Sequence, residues 1–325
     1  MKTWEPPAIH IDSWRPAIRS SAPVAVELCC GMGAIGIALR SLGIRVVKAY
    51  NTWDAAVAVY NHNAPEPVAV QCDLLAKEGY NRVISDCGRV GELELLVAGP
   101  PCKGFSRLLN GQHDVPNPHN RVLKAIPDYV AGLRPRIVLI ENVPDLVRHA
   151  GGRTFRDLLS RLRAPGPRGL HYRVASHVYD ASQYGTPQAR QRILVLAVRE
   201  GDEQLPPPGP NLAPLYAALR HGHEIPAPFQ PYVLILKDKW DPRMVSAEQA
   251  LSDLPRLGPG EGETHRPYGS VPETAYQRTM RQGSPDFVSN TLTPRVHSET
   301  VKRLRYIPPG GCARSIPDQY LLAGM

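Results

Sequence analysis

Cys102 follows a strand-like stretch at a position where a cysteine suits chemistry better than packing. In ELLVAGPPCKGFS (94–106) an apolar run ends at a glycine, and two prolines stand directly before the cysteine. A cysteine kept for packing would be expected inside the apolar run. At a rigid strand exit, beside the cation of Lys103 that favours the thiolate form, Cys102 is a candidate nucleophile.

A glycine-rich loop links the first apolar run to a helical stretch in VELCCGMGAIG (26–36). Gly31 and Gly33 allow the backbone to approach a ligand closely, while the first amides of the helix and its dipole attract polar or anionic groups. Such a loop is typical of nucleotide-like cofactor sites, but taken alone it is weak evidence for one.

The exits of the next two predicted strands carry side chains that suit an adenosine group. Trp53, in YNTWD (50–54), could stack on an adenine ring, and Asp73, in QCDL (71–74), could accept a hydrogen bond from the adenine amino group. Taken singly, Trp53 could equally be a core residue at a helix start and Asp73 a helix cap. Because the three exits would meet at one edge of a parallel sheet, we favour a cofactor site there.

Between about Val24 and Val198, short β-branched runs alternate with amphipathic stretches of helical period. Apolar strands separated by helices are typical of a doubly wound, mostly parallel α/β sheet, which is the fold we predict. The predicted strands cover residues 23–28, 44–50, 67–71, 93–99, 136–143, 172–180 and 192–198. The predicted helices cover residues 34–43, 54–63, 120–133 and 154–163.

The character of the sequence changes after Arg199. Prolines become frequent, periodicity weakens, and PPPGP (206–210) is typical of a domain boundary. We therefore predict an N-terminal extension (1–22), an α/β domain (23–199) and a smaller, loop-rich module (200–325). A partly disordered tail is the alternative for the last of these.

The 325 residues include 38 Lys and Arg against 30 Asp and Glu, which gives a net charge of +8. An excess of this sign suits a polyanionic partner such as nucleic acid, although solvated surface charge gives the same total. The six cysteines show no CxxC spacing, which argues against a zinc site. The sequence shows no signal-peptide core and no apolar stretch of membrane-spanning length, so we expect a cytoplasmic protein with reduced thiols and no membrane contact.

The order of short motifs along the chain resembles the cytosine-5 DNA methyltransferase family, which uses S-adenosylmethionine. VELCCGMG, YNTWD, CDL, GPPCKGFS, ENV and YGTPQARQR follow one another at strand exits from about Val24 to Val198. A weaker match is HSETVKRLRYIPPGG (297–311). The resemblance implies a Rossmann-like methyltransferase domain over residues 23–199 and a partial target-recognition or DNA-binding region over residues 200–325.

The resemblance also implies a covalent mechanism. Carbon 5 of cytosine is a poor nucleophile, and in this family a cysteine thiolate first adds to carbon 6; Cys102 stands at that position. Glu141, in ENV, would hydrogen-bond ring nitrogen 3 and the amino group as the ring gains charge. Arg190 and Arg192, in QARQR, would point from one face of a strand toward the base oxygen, the phosphate of the flipped nucleotide and the cysteine loop.

Two further sets of residues are implied by the same resemblance. Those expected around S-adenosylmethionine are Cys29, Gly31, Met32, Gly33, Thr52, Trp53, Asp73, Leu74 and Pro100. Those expected to contact the substrate are Ser106, Asn142 and Gln188. Asn142 would also brace its own loop, and the segment 106–120 would close over the DNA.

Three positions depart from the family pattern. Cys29 stands where the family has an aromatic residue, Thr52 where it has a glutamate that grips the ribose hydroxyls, and Lys103 where it has a glutamine. Losing that carboxylate removes a charge-assisted hydrogen bond worth about 1.5–3 kcal/mol, which predicts weaker cofactor binding. The family's last cofactor-pocket motif has no counterpart here. We therefore expect a truncated chain or a split enzyme, completed by a second polypeptide with that motif and the recognition module, in preference to a degenerate member.

The leading hypothesis is a DNA cytosine-5 methyltransferase of restriction–modification type, bacterial or phage-encoded, acting on double-stranded DNA at the nucleoid. A non-catalytic nucleic-acid-binding or regulatory subunit with the same fold is the second hypothesis. A tRNA cytosine methyltransferase ranks lower because its CFT-type signature is absent. A dehydrogenase ranks lowest, since it would need neither PPC nor ENV.

Overall fold

The computed structural model describes residues 22–88, 92–102, 120–166, 169–184, 186–201, 245–281, 286–308, 311 and 313–320. Seven strands of the first part of the chain form one sheet. They are β1 (Val24–Leu28), β2 (Arg45–Asn51), β3 (Ala69–Gln71), β4 (Leu95–Ala98), β5 (Ile137–Asn142), β6 (Tyr172–Asp180) and β7 (Gln191–Arg199). Their apolar, β-branched composition suits a sheet that is buried on both faces.

The strands lie in the order β3-β2-β1-β4-β5-β7-β6. Strands β1 to β5 are parallel, and β7 is antiparallel to both of its neighbours, β5 and β6. The chain therefore builds one half of the sheet through β2 and β3, then returns to add β4 and β5 on the other side of β1. Open α/β sheets bind their ligands where the strand order reverses in this way, beyond the carboxyl ends of the strands.

Within the described residues, five helices cover the two faces of this sheet. They are α1 (Ala34–Ser41), α2 (Asp54–Asn63), α3 (Lys77–Cys87), α4 (Asn120–Leu133) and α5 (Arg153–Arg163). Leu39 of α1 and Tyr60 of α2 belong to one hydrophobic core with Val97 of β4. Leu123 of α4 belongs to the other core, with Leu96 of the same strand. Successive residues of a central strand are thus buried on opposite faces, as a covered parallel sheet requires.

The fold agrees with the doubly wound, mostly parallel sheet expected from the sequence. The strand at 172–180 and the helices at 54–63 and 120–133 have the predicted bounds, and the other predicted strands are recovered within two residues at each end. Periodicity does not predict α3, because its buried side is marked only by Gly79, Val83 and Cys87. Two of these are weak indicators of a helix core.

Residues 247–325 form a second compact unit, distinct from the unit that spans residues 1–246. Its described helices are α6 (Ala247–Leu251), α7 (Ala275–Arg281) and α8 (Ser298–Leu304). Two short antiparallel strands, β8 (His265–Pro267) and β9 (Phe287–Ser289), form a separate sheet. The predicted module boundary near residue 200 stays a prediction, because residues 202–244 lie outside the described ranges, as do residues 1–21.

An ion pair organises the second unit. The Asp253 side chain is buried, and its Oδ2 accepts a hydrogen bond from Arg281 Nε at 2.9 Å. The Arg281 guanidinium carbon also lies 3.5 Å from the ring centroid of Tyr268. A buried carboxylate needs such a charged partner, so this contact joins α7 to the segment after α6.

A buried carboxyl lies on β1, directly before the glycine loop. Glu27 is 0% exposed, and its Oε2 accepts a hydrogen bond from the Tyr60 hydroxyl at 2.9 Å. Its Oε1 has no hydrogen-bond partner among the described residues. Arg40, also buried, lies over the Tyr60 ring at 5.9 Å from its centroid. Burial raises the pKa of Glu27 to about 7, and the Tyr60 hydrogen bond and the charge of Arg40 oppose that rise only in part.

We predict that Glu27→Gln removes a pH dependence of folding stability. The ordinary pKa of this carboxyl is 4.5, so the folded protein holds the proton more tightly than the unfolded chain. The wild type should therefore lose stability relative to the variant as pH rises from about 4.5 to 7, by up to about 3 kcal/mol. Urea unfolding at a series of pH values measures the difference. Parallel curves for the two proteins across this range would contradict the assignment.

Candidate functional site

The carboxyl ends of β1, β2, β3, β4 and β5 meet at one edge of the sheet, because these five strands are parallel. The antiparallel strand β7 begins at that same edge, where Ile193 pairs with Asn142. The predicted site residues within the described ranges end or follow these strands, or stand at the beginning of β7 or just before it. The fold thus brings the predicted cofactor and catalytic residues to a common edge.

The loop after β1 has open space beside its backbone and includes left-handed conformations, which are rare in residues other than glycine. Gly31 and Gly33 have φ of 54° and 98°, and Gly33 is the N-cap of α1. A Cβ at Gly31 would meet nothing within 4 Å, so the space beside this residue is open for a ligand. Cys29 has φ of 56°, a left-handed conformation that is costly for a residue with a side chain. Burial and the nearby Glu27 charge raise the pKa of the Cys29 thiol to about 12, so it stays neutral.

The loop after β2 presents an aromatic ring to solvent. Trp53 is the N-cap residue of α2 and is 60% exposed, so it is not a core residue at the helix start. The Asn51 side chain accepts a hydrogen bond from the Trp53 backbone N–H at 3.1 Å. Gln71 of β3 donates to the Thr52 carbonyl oxygen at 3.1 Å. These two bonds fix the backbone beneath the exposed ring.

The turn after β3 holds one exposed and one buried residue of the predicted site. Asp73 is exposed, and its Oδ1 accepts a hydrogen bond from the Leu75 N–H at 2.9 Å, which stabilises the turn. The side chain of Leu74 is buried in the core, and its carbonyl accepts the Tyr129 hydroxyl at 2.8 Å. Of the two predicted residues here, only Asp73 presents its side chain at the surface.

The exits of β4 and β5 are tied together by a buried amide. Asn142 is 2% exposed, and its Nδ2 donates to the Pro100 carbonyl oxygen at 3.2 Å. Its Oδ1 accepts the Val143 N–H at 2.8 Å, so the same side chain also bonds to the residue that follows it. Cys102 follows Pro100 by two residues and is partly exposed with a free thiol. The Asn142–Pro100 hydrogen bond therefore fixes the segment that leads to Cys102 against β5, the strand that carries Glu141.

Glu141 and Arg192 form an ion pair across neighbouring strands. Arg192 Nε lies 2.7 Å from Glu141 Oε1, with side-chain exposures of 24% and 35%. Glu141 pairs with Leu194 in the sheet, so Arg192 reaches it diagonally from the next position on the same face of β7. A pair this exposed contributes about 1 kcal/mol or less to stability. Its effect is to orient a carboxylate that water and ligands can still reach.

The expectation that both arginines lie within one strand is corrected by the structure. Strand β7 begins at Gln191, so Arg190 lies one residue before it and is exposed. Its carbonyl still accepts the Ala181 N–H at 2.9 Å, which extends the pairing with the end of β6. Gln188 is likewise exposed in the turn that leads to β7. Ser106 and Lys103 lie outside the described residues.

Sequence reasoning missed Glu27, whose buried side chain lies on β1 directly before the glycine loop. A single acidic residue in the otherwise apolar strand VAVEL was the available signal. In the described part of the chain, no group of His, Cys, Asp and Glu side chains could hold a metal ion. Of the helices in the same ranges, none is long and apolar enough to cross a membrane.

The sequence profile of the C-5 cytosine-specific DNA methylase family matches residues 24–303. The chain is 28% identical to the type II methyltransferase M.AgeI of Thalassovita gelatinovora, over 92% of this chain and 67% of that protein. It is 24% identical to the type II methyltransferase M.DdeI of Desulfomicrobium norvegicum, over 91% of this chain and 63% of that protein. The chain thus spans about two thirds of the length of these bacterial relatives.

A eukaryotic relative and a solved structure extend the comparison. The chain is 26% identical to the mouse DNA (cytosine-5)-methyltransferase 1 over 90% of this chain but only 18% of that protein. A prophage-encoded protein of E. coli, described as a DNA modification methyltransferase, has a similar fold with a TM-score of 0.61. That match covers 88% of this chain and 75% of the solved one, at 19% identity, and supports a Rossmann-like methyltransferase fold.

Proposed function

Since the chain belongs to the C-5 cytosine-specific DNA methylase family, we propose that it transfers a methyl group from S-adenosylmethionine to carbon 5 of cytosine in double-stranded DNA. The observation that carries the proposal is the pair of contacts at the exits of β4, β5 and β7. Asn142 bonds to the segment leading to Cys102, and Arg192 holds Glu141. A nucleophile and an oriented carboxylate therefore share the edge at which the glycine loop lies.

The exits of β1, β2 and β3 fit S-adenosylmethionine. The open space beside Gly31 admits the methionine portion near the first amides of α1. The exposed Trp53 ring would stack on adenine, and the exposed Asp73 would accept from the adenine amino group. Thr52 offers no carboxylate for the ribose hydroxyls. When bound, this cofactor supplies an electrophilic methyl group.

Cys102 would activate the cytosine ring. Addition of its thiolate to carbon 6 forms the sulfur–carbon bond and moves electron density to carbon 5, which can then accept the methyl group. Loss of the proton from carbon 5 to water then returns the electron pair of that bond to the ring, which expels the Cys102 thiolate from carbon 6 and restores the double bond. Because carbon 6 is inaccessible inside stacked DNA, the target base must first be flipped out of the duplex.

Glu141 would stabilise the charge that this addition places on the ring. For this the group must carry a proton toward ring nitrogen 3, because a protonated carboxyl group donates a hydrogen bond that strengthens as that nitrogen gains negative charge. The Arg192 contact to Glu141 Oε1 holds the carboxyl group in place for this purpose. Arg190, which is exposed beside the same strand, would contact the phosphate of the flipped nucleotide. The net charge of +8 suits the remaining DNA backbone.

We also propose that a further segment, carried by a second polypeptide or by a longer form of the chain, packs against α1 and completes the cofactor pocket. Leu42, the C-cap residue of α1, is 75% exposed, and Ile37 within the helix is 38% exposed. Apolar side chains beside a ligand loop are a suitable contact for such a segment. The enzyme would act in the cytoplasm, where its DNA is accessible.

We predict that DNA carrying 5-fluorocytosine traps the protein covalently through Cys102. Fluorine at carbon 5 cannot leave as a proton does, so the sulfur–carbon bond persists after methyl transfer. The adduct should form with wild-type protein and cofactor and survive denaturing electrophoresis, while Cys102→Ser forms none. Cys87→Ser, which changes a buried cysteine of α3, is the matched control and should trap DNA normally. Trapping by Cys102→Ser at the wild-type level would refute the assignment, and DNA binding without trapping would favour a regulatory subunit.

We predict that Glu141→Gln lowers turnover about a hundredfold while DNA affinity changes less than threefold, because its hydrogen bond strengthens as the ring gains charge. Single-turnover kinetics and filter binding measure the two quantities. Glu92→Gln is the control, since Glu92 forms a similar ion pair with Arg199, 2.6 Å apart, at the other end of β7. Equal losses of turnover and affinity in Glu141→Gln would make Glu141 structural.

We predict weak binding of S-adenosylmethionine to the chain alone. Thr52 lacks a ribose-gripping carboxylate, and Leu42, which the added segment would cover, is 75% exposed. Adding a separately expressed segment that carries the family's last cofactor-pocket motif should tighten binding at least tenfold by calorimetric titration. Leu42→Asp should abolish that gain without changing the affinity of the chain alone. Tight binding by the chain alone, unaffected by the added segment, would overturn the partner proposal.

A further inference from the structure

His149 links two parts of the chain that the catalytic proposal treats separately. Its Nε2 lies 3.4 Å from Nδ2 of Asn120, the first residue of α4. Its Nδ1 lies 2.7 Å from the hydroxyl of Thr154, in the first turn of α5. We infer that His149 is a positioning residue that fixes the start of α4, the first described element after Cys102, an inference that rests on the proposed function.

The two hydrogen-bonded tethers bracket the segment that follows Cys102. Residues 103–119 connect Cys102 to Asn120. Before this segment, the Pro100 carbonyl accepts a hydrogen bond from Asn142. After it, Asn120 bonds to His149, which lies seven residues after Asn142 in the sequence. One end of the connection is therefore held by the last residue of β5, the strand that also carries Glu141, and the other end by the chain that follows β5.

The hydrogen bonds require one form of the imidazole ring. The Asn120 amide N–H donates to Nε2, so Nε2 must be the acceptor nitrogen. The proton then resides on Nδ1, which donates to the Thr154 hydroxyl oxygen. A side chain that lacks either function breaks one of the two links, so each link can be tested separately.

The contact is buried and its backbone is constrained. Asn120 and Thr154 are 7% and 9% exposed, so neither polar group can be solvated fully if His149 is lost. The residues after His149 adopt left-handed conformations, with φ of 51° at Ala150 and 64° at Gly151. Such a conformation at a non-glycine residue persists only where the surroundings enforce it. The Arg153 side chain contributes by donating to the Ala150 carbonyl at 3.0 Å.

Substitution of His149 by Gln or Asn can retain one of its two hydrogen bonds at a time. Gln places an amide oxygen near the position of Nε2 and can accept from Asn120, whereas Asn places an amide N–H near Nδ1 and can donate to Thr154. His149→Gln therefore keeps the α4 link, His149→Asn keeps only the α5 link, and His149→Ala removes both. His171→Ala is the matched control, because His171 is exposed just before β6.

We expect His149→Asn and His149→Ala to lower kcat about tenfold. A misplaced Cys102 lowers the fraction of enzyme–DNA complexes in which the thiolate can reach carbon 6 of the base. The dissociation constant for S-adenosylmethionine should stay within twofold, and His149→Gln should retain kcat within about threefold. Hydrogen exchange supplies a readout that needs no activity. Amides 124–126, which bond to carbonyls in the first turn of α4, should exchange faster in the Asn and Ala variants, while amides 131–133 should not change.

The outcomes separate this inference from the proposed function. If the wild type transfers no methyl group, the function fails, and hydrogen exchange still decides whether the tether exists. Wild-type kcat in all three variants would overturn the positioning role. Impairment of His149→Gln equal to that of His149→Ala, or faster exchange throughout α4 and α5, would also overturn it, because the effect would then be general destabilisation.

Discussion

The hydrogen bond from the buried Asn142 amide to the Pro100 carbonyl holds together the two strand exits on which the proposed chemistry depends. Parallel strands β4 and β5 bring their carboxyl ends to one edge, but strand pairing ends at Ala98 and Ile140. Beyond that point the backbone groups need other partners, and Asn142 supplies them for both loops. Without this bond, nothing in the sheet pairing would set the distance between the Cys102 loop and Glu141.

A second constraint comes from the direction of β7. Because this strand is antiparallel to β5, its first residues, and not its last, lie at the functional edge. An arginine near the start of β7 can therefore reach a glutamate near the end of β5, as Arg192 and Glu141 do at 2.7 Å. A parallel strand at the same place would have carried Arg192 to the opposite edge. The mixed sheet thus supplies a cation that an all-parallel sheet would not.

The sequence predicts the strands and the residues at their ends, but it does not predict the side-chain hydrogen bonds that hold those ends together. Apolar periodicity locates the strands, and their ends place Trp53, Asp73, Cys102 and Glu141 at one edge. The hydrogen bonds of Asn142, Glu27 and His149 were not predictable, because they depend on side-chain geometry or join residues that are distant in sequence. Glu27 and Tyr60, for example, are separated by 33 positions. No local pattern encodes such contacts. The start of β7 was missed by one residue, because alternation gives the period of a strand better than its ends.

The proposed chemistry at this edge of the sheet is methylation of carbon 5 of cytosine. The most direct measurement is mass spectrometry of the nucleosides from unmethylated plasmid DNA after incubation with the protein and isotopically labelled S-adenosylmethionine. We expect labelled 5-methyldeoxycytidine with the wild-type protein, supplied with the completing segment where needed, and none with Cys102→Ala. Label found only on another base, or on carbon 5 of cytosine at equal yield without the Cys102 thiol, would contradict the proposed chemistry.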